Sequence, residues 1–272
     1  MLFDFHVHSN ASTDCQEPME HTVEAAISKG LAGICFTDHC DPVIPEFPEE
    51  TNATGYEEWA RSYANIARVR EQFGDQIEIF HGMELAEMTH APETARAWAK
   101  APDLDFILGA THIVRGYQDF YFLEYPDHDF CRKLAELYVD EAIGMAELDL
   151  ADVLAHLGYF NRYMAPLGFY VDIMDYEEKL RHLFKILVQN GRGLEVNTSG
   201  LRRNPGPHFH IPELAVLKLF RACGGEVVTT GSDAHTARHV GSHIQEGQEL
   251  LREAGFRYTT IFRKRKPEFI KL

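Results

Sequence analysis

Leu2-Phe3-Asp4-Phe5-His6-Val7-His8 opens the chain as an apolar run that ends in two histidines one residue apart. Side chains along a strand alternate between its faces, so His6 and His8 point one way and Val7 the other. Two imidazoles on one face at a strand end can serve as paired metal ligands. Taken alone, such a pair is more simply read as two polar residues at a strand terminus. Its meaning is decided by what the later strands carry.

Working outward, similar endings recur. Met19–Gly30 reads as a helix with Val23, Ala26 and Ile27 on one face and Gly30 as its stop, and strand Leu31–Phe36 then runs into Thr37-Asp38-His39. A Pro- and Glu-rich loop (Asp41–Gly55) and a long helix (Tyr56–Phe73) precede strand Ile77–Phe80, which runs into Gly82-Met83-Glu84. A short helix (Thr94–Lys100) leads to strand Phe106–Leu108 and then Thr111-His112. The connection Val114–Asp129 holds Tyr117, Phe120, Tyr121, Phe122 and Tyr125, and its length reads as a lid-like loop. Helix Phe130–Leu148 precedes strand Val153–Ala155 and His156. Helix Asp175–Asn190, striped with Leu180, Leu183, Phe184 and Leu187, leads to strand Gly193–Val196 and Asn197-Thr198-Ser199. Helix Glu213–Cys223 leads to strand Glu226–Thr230 and Gly231-Ser232-Asp233-Ala234-His235; helix Ile244–Ala254 and strand Tyr258–Phe262 close the series.

Seven or eight strand–helix units in alternation predict an α/β fold with a parallel sheet, closed or nearly closed into a barrel. No linker or composition shift marks a second unit, so residues 1–272 are expected to form a single domain, a normal length for such a barrel. The basic run Arg263–Lys266 reads as a solvated terminus.

Composition narrows the partners. A net charge of −16 disfavours long nucleic acid, which needs a basic face, yet it allows a small phosphorylated substrate, because divalent metals and a few arginines reverse a local field. No 18-residue apolar run and no basic segment before Leu2 are present, so neither a membrane span nor a signal peptide is expected. The 5 cysteines, an odd number without C-x-x-C spacing, fit a reducing cytoplasm. Cys15 and Cys40 each adjoin a candidate ligand, although their spacing does not favour them over their neighbours.

Those candidate ligands stand at the C-terminal ends of six strands: His6 and His8, His39, Glu84, His112, His156, and Asp233 with His235, with Asp14 shortly after the first strand. Active sites of barrels form at that end. Histidines scattered for packing would not select the same end of six strands. Imidazole and carboxylate suit Zn, Mn or Fe, and the lack of paired cysteines argues against a closed structural zinc site. The set is too large for one ion and sufficient for two or three divalent ions, with Glu84 bridging two of them. Such a centre attracts phosphate.

His6-Val7-His8, Thr37-Asp38-His39, Gly82-Met83-Glu84, His112, His156 and Ser232-Asp233-Ala234-His235 resemble the motifs of the PHP (polymerase and histidinol phosphatase) superfamily. Within it, His156-Leu157-Gly158 followed by Arg162, Glu195-Val196-Asn197-Thr198-Ser199-Gly200-Leu201-Arg202, and Gly231–His235 followed by Val240-Gly241 resemble the histidinol-phosphate phosphatases. The resemblance spans nearly the whole chain. It implies a distorted (β/α)7 TIM-like barrel with a trinuclear metal site. A first metal would be held by His6, His8, Glu84 and Asp233, a second by Glu84, His112 and His156, and a third by Asp14, His39 and His235. Arg162 and Arg202 match phosphate-binding positions, and Arg115 is a further candidate three residues after His112. Glu84, Asp233, His235, Arg162 and Arg202 would form the catalytic set.

The implied reaction is hydrolysis of L-histidinol phosphate to L-histidinol, a step of histidine biosynthesis, by attack of a metal-activated water on phosphorus. The substrate's ammonium and imidazole would want carboxylates nearby, and Glu87 and Asp41 are placed for this by position. Departures from the family pattern fall in loops: Phe209-His210-Ile211-Pro212-Glu213, the acidic Pro42–Asn52 and the aromatic His112–Asp127. A phosphoesterase acting on nucleotides or on broad phosphate esters is the nearest alternative; a nuclease module and a non-catalytic metal-binding or regulatory protein are more distant ones. Among the other histidines, His21 and His182 fall on helices, His208-Phe209-His210 lies in a Pro/Gly loop, and His81 is a candidate support for the ligand turn beside it.

Overall fold

The computed structural model describes residues 1–42, 55–203 and 211–272. Most of the Pro42–Asn52 loop and all of His208-Phe209-His210 lie outside the described residues. Seven strands pair in parallel in chain order: β1 (Phe3–Val7), β2 (Gly33–Phe36), β3 (Glu78–Ala86), β4 (Phe106–Ala110), β5 (Val153–Leu154), β6 (Gly193–Asn197) and β7 (Val228–Gly231). Every strand residue except Glu78 is buried, as both-face coverage of a parallel sheet requires. The longer covering helices are α1 (Met19–Ser28), α2 (Tyr56–Phe73), α3 (Pro92–Trp98) and α4 (His128–Leu148). After a short α5 (Asn161–Met164) come α6 (Glu177–Gln189), a short α7 (Ser199–Arg203), α8 (Leu214–Ala222) and α9 (Ile244–Glu253).

The sheet curls into a nearly closed barrel. Asp233 N donates to His6 O (2.8 Å) and His8 N donates to Ala234 O (2.9 Å), joining the ends of β7 and β1 at the rim where the candidate ligands sit. β3 runs six residues beyond the expected Phe80, to Ala86. Its first half pairs with β2 (Glu78 to His81 opposite Gly33 to Phe36) and its second half with β4 (Gly82 to Ala86 opposite Phe106 to Ala110). That stagger is the tilt a closed barrel needs, and it places Glu84 within the strand rather than in the loop after it.

The opposite end of the barrel corrects the expectation of a possible eighth unit. Tyr258–Arg263 (β8) pairs antiparallel with Lys266–Lys271 (β9), outside the barrel sheet. Ile261 and Phe262 enter the apolar cluster of Phe3, Phe5, Phe80, Phe106 and Val153, with the Phe262 and Phe106 rings 5.0 Å apart. Lys264 and Arg265 form the hairpin turn with left-handed φ of 49° and 65°. The Arg265 guanidinium reaches buried Asp152 and the Leu150 carbonyl, and Lys264 N donates to Asp105 Oδ1 (3.0 Å). The basic run is therefore not a solvated terminus. It anchors a plug that keeps water from the apolar floor of the barrel.

The aromatic connection after β4 is folded back rather than free. Ile113 and Asp119 face each other across a short antiparallel bridge, Phe120 N donates to His112 O (3.1 Å), and the Tyr125 hydroxyl donates to Phe120 O (2.6 Å). Phe120 is fully buried, which ties the loop to the core, while Tyr121 (65% exposed) and Phe122 (40%) stand at its tip.

Candidate metal centre

His6 and His8 project inward from the end of β1, and their Nε2 atoms lie 3.1 Å apart. Glu84 Oε2 lies 3.2 Å from the first and 3.3 Å from the second, and Asp233 Oδ1 lies 3.7 and 3.6 Å away. The outer nitrogens decide the tautomers. His6 Nδ1 faces the Glu195 carboxylate at 2.7 Å, so that nitrogen carries the hydrogen. The Ser12 hydroxyl donates to Asp38 Oδ1 (2.9 Å) and therefore accepts from His8 Nδ1 (3.1 Å). In the neutral rings, both Nε2 lone pairs then aim at each other and at two carboxylates. Against burial, the carboxylates of Glu195, Glu84 and Asp233 draw positive charge onto His6, and a cation seated where the Nε2 atoms and carboxylates converge supplies that charge in place of a proton; this donor set suits a divalent metal ion.

The pattern continues around the rim. Glu84 Oε1 faces His156 Nε2 (3.1 Å) and His112 Nε2 (3.5 Å), while Oε2 also lies 3.3 Å from His39 Nδ1. His235 Nδ1 lies 3.2 Å from the Asp233 carbonyl, which leaves its Nε2 facing Asp14 Oδ2 at 3.0 Å; His39 Nε2 is 3.7 Å from the same oxygen. Four overlapping groups thus converge: His6/His8/Asp233, His8/His39/His235, Glu84/His112/His156 and His39/Asp41/His112. All nine side chains expected as ligands meet at one rim, with Glu84 at the centre. Asp41, expected only as a substrate carboxylate, joins them.

Electrostatics set the charge states. Burial alone would neutralise Glu84, yet His6, His39, His112 and His156 hold its carboxyl well below the usual range. Burial likewise opposes charge on Asp233, and His6, Arg162 and His8 overcome it. His156 (φ 26°) and Asp233 (φ 53°) occupy left-handed backbone where their strands end, a strain that ligand geometry can justify.

Polar side chains beneath the rim hold the ligands, and their roles were not assigned from sequence. Glu195 binds His6 with Oε1 and the His156 N–H with Oε2 (2.9 Å). Asp38 accepts from Ser9 N (2.6 Å), Ser9 Oγ, Ser12 Oγ and Ser62 Oγ. Asp4 accepts from Ser232 N (2.8 Å), Ser232 Oγ and Gly241 N. The available signal was a carboxylate inside an otherwise apolar strand, as in Phe3-Asp4-Phe5 and Leu194-Glu195-Val196.

A model of the PHP domain family matches residues 4–199. The chain belongs to the PHP domain family. A histidinol-phosphatase of Lactococcus lactis subsp. lactis is 26% identical to this PHP protein over 266 residues, covering 95% of this chain and 93% of the relative. A histidinol-phosphatase of Bacillus subtilis is 23% identical over 258 residues, covering 88% and 95%. A crystal structure of histidinol phosphate phosphatase from Lactococcus lactis, in complex with Zn, L-histidinol and phosphate, shares the fold with a TM-score of 0.82 at 24% identity, covering 98% of each chain.

Above the ligand rim of this PHP domain lies a cavity of about 780 Å³. Arg162 lines it, donating to Ser199 Oγ (2.7 Å) and Asp233 Oδ2 (2.8 Å) with its guanidinium over the Tyr159 ring at 4.7 Å; its Nε makes no hydrogen bond. Arg202 lines it too, donating to the carbonyls of Ser232 and Asp233. Arg115 does not belong with them. Its guanidinium donates to Thr89 O (3.0 Å) and its backbone N–H to Glu141 Oε1 on α4 (3.2 Å), which holds it outside the cavity lining.

Glu87 and Asp41 line the cavity as expected from position, and Asp119, which sequence reasoning missed, lines it as well. Burial pushes Glu87 up to about 8, opposed by His112 and reinforced by Asp41. His81 does not support the ligands: it faces outward on β3, stacks on Trp59 at 5.0 Å, and is pushed down to about 4 by burial. Cys15 Sγ donates to His235 O (3.2 Å), and Cys40 packs in the apolar core. His21 and His182 are exposed.

Proposed function

We propose that this PHP domain is a metal-dependent phosphoric monoester hydrolase whose substrate is L-histidinol phosphate, split by water into L-histidinol and inorganic phosphate. The observation that carries the reading is the ring of buried His6, His8, His39, Glu84, His112, His156 and Asp233, completed by half-buried His235 and exposed Asp14, opening onto a cavity flanked by Arg162 and Arg202. The names of its histidinol-phosphatase relatives support the choice of substrate.

His6, His8, Glu84 and Asp233 would hold one ion, Glu84, His112 and His156 a second, and Asp14, His39 and His235 a third. Divalent ions there supply Lewis acidity, which acidifies a water and neutralises phosphoryl charge. The protein's own part is orientation. Glu195 and Ser12 keep the Nε2 atoms of His6 and His8 pointed inward. Arg162 and Arg202 receive the phosphoryl oxygens, for which planar guanidinium forks are matched donors. Arg162 is already half committed to Asp233, so a phosphate bound there stays in register with the ligand set.

The test is a phosphatase panel of histidinol phosphate, p-nitrophenyl phosphate and nucleoside monophosphates, with metal analysis on the same sample. The expected result is highest kcat/KM for histidinol phosphate, loss of turnover on chelation and recovery with Zn or Mn. A preference for nucleotides would overturn the substrate assignment, and turnover independent of metal would overturn the mechanism.

A further inference from the structure

Helix α4 meets the backbone of the ligand rim along one side. The Tyr138 hydroxyl donates to the His156 carbonyl (3.2 Å). Glu141, its neighbour one turn on, reaches the loops after β3 and β4, where it accepts from the Thr89 hydroxyl, His90 Nε2 (3.2 Å) and Arg115 N (3.2 Å). After one further turn, Gly144 lies so close to the first loop that an added Cβ would stand 2.9 Å from Thr89 Cγ2.

The same two loops are joined on the barrel side. Glu87, at a left-handed φ of 45° where β3 ends, accepts through Oε1 from His112 N (2.6 Å) and Ile113 N (3.0 Å). The segment from His112 to Arg115 is thus hydrogen-bonded to a carboxylate at each end, and the Arg115 guanidinium adds its bond to Thr89 O. Burial opposes charge on Glu141, yet His90, Thr89 and the Arg115 N–H hold its carboxyl below the usual range. The Glu141 side chain is only 12% exposed, so water competes little for these bonds. None of Tyr138, Glu141, Thr89 and His90 lines the cavity, so any effect they have on it passes through the residues they hold. Among the four converging groups, His112 and His156 occur together only in the one they form with Glu84.

We propose that Glu141 and Tyr138 are positioning residues for a single ion, the one held by Glu84, His112 and His156. Glu141 fixes the loop that carries His112, and Tyr138 fixes the backbone of His156. The inference rests on the metal-dependent reading above and adds which part of the fold sets one ion's affinity. Arg115, adjacent to the site in sequence, serves through its backbone as one of the points that Glu141 holds.

The experiment measures the metal stoichiometry of the full chain across a series of zinc buffers, in the wild type, E141A, E141Q and Y138F, with E136A as a control. Glu136 lies on the same helix but pairs with Lys179 of α6 at the surface, so its loss removes an α4 contact that does not touch the rim. E141A and Y138F are each expected to weaken one zinc equivalent by about tenfold or more while the others keep their affinity. E141Q keeps one acceptor oxygen and is expected to fall between E141A and the wild type. Turnover of histidinol phosphate should drop at limiting zinc and recover at saturating zinc. Unaltered affinity in E141A, an equal loss of every ion, the same loss in E136A, or a wild type that binds one ion only would each overturn the proposal. Selective loss of one ion in a protein whose wild type turns over no phosphate ester would overturn the phosphatase reading and leave the positioning role standing.

Discussion

The Glu195 carboxylate lies 2.7 Å from Nδ1 of His6, a residue 189 positions earlier in the chain. This contact decides which ring nitrogen of His6 is free to face Glu84, and its other oxygen fixes the backbone of His156. One buried carboxylate thereby orients ligands from β1 and from the end of β5.

Replacing Glu195 with Gln keeps the shape but lets the amide present a donor toward Nδ1, which permits the wrong tautomer of His6. Metal affinity is expected to fall by about 10- to 100-fold, the range found for outer partners of ligating histidines. Competition with a chromophoric chelator measures it. Unaltered affinity would show that the tautomer is set elsewhere.

Glu84 contacts His6, His8 and His39 through one oxygen and His112 and His156 through the other. Glu84→Gln should lose metal and turnover together, since one substitution removes a charge shared by two proposed sites. Metal analysis beside a kinetic assay checks this, and full metal stoichiometry with normal turnover would refute the bridging role.

Gly231 ends β7 where it crosses β1, and an added Cβ would overlap His6 Cβ and Glu195 Oε1. Neither can withdraw without moving a ligand. Gly231→Ala is expected to cost about 1–3 kcal/mol by overpacking. A thermal melt should show this as a drop of several degrees together with weakened metal binding; an unchanged melting temperature and affinity would mean that β1 and β7 separate more easily than their hydrogen bonds indicate.

Arg265 joins the C-terminal plug to Asp152, which is fully buried and also bonded to Arg192 at 2.9 Å. Arg265→Ala leaves Asp152 with one of its two cations, at a cost of about 1–3 kcal/mol for a buried charge that loses a partner. The plug lies at the barrel end away from the ligands, so urea unfolding should shift while kcat on histidinol phosphate does not. A kcat effect at full metal loading would show that the two ends of the barrel are coupled.

Much of the architecture was legible in the chain itself. Alternating apolar runs and amphipathic stretches report burial, and burial sets both the parallel sheet and its helical cover. The ligand ring was legible for a related reason. A barrel gathers its strand ends at one rim, so side chains repeated at that end converge whatever their separation in sequence. The extent of β3 was not legible, because His81, Gly82 and Glu84 are poor strand formers that only pairing with β2 and then β4 keeps extended. The fate of the last strand was equally hidden, since the residues Tyr258–Phe262 are compatible with either barrel or hairpin, and the open apolar floor decides between them. The direction of the Arg115 side chain was not legible either, because distance along the chain from His112 says nothing about which way the loop turns.

His6-Val7-His8 shows where the division falls. By itself the sequence determined that two imidazoles share a face at the end of a buried strand, because strand periodicity is local. Only the tertiary structure decided which nitrogen each presents, through Glu195 and Ser12, and that Asp41, Glu87 and Asp119 line one cavity with Arg162 and Arg202. Hydrogen-bond partners and the lining of a cavity depend on long-range closure of the barrel, and no local pattern of residues encodes them.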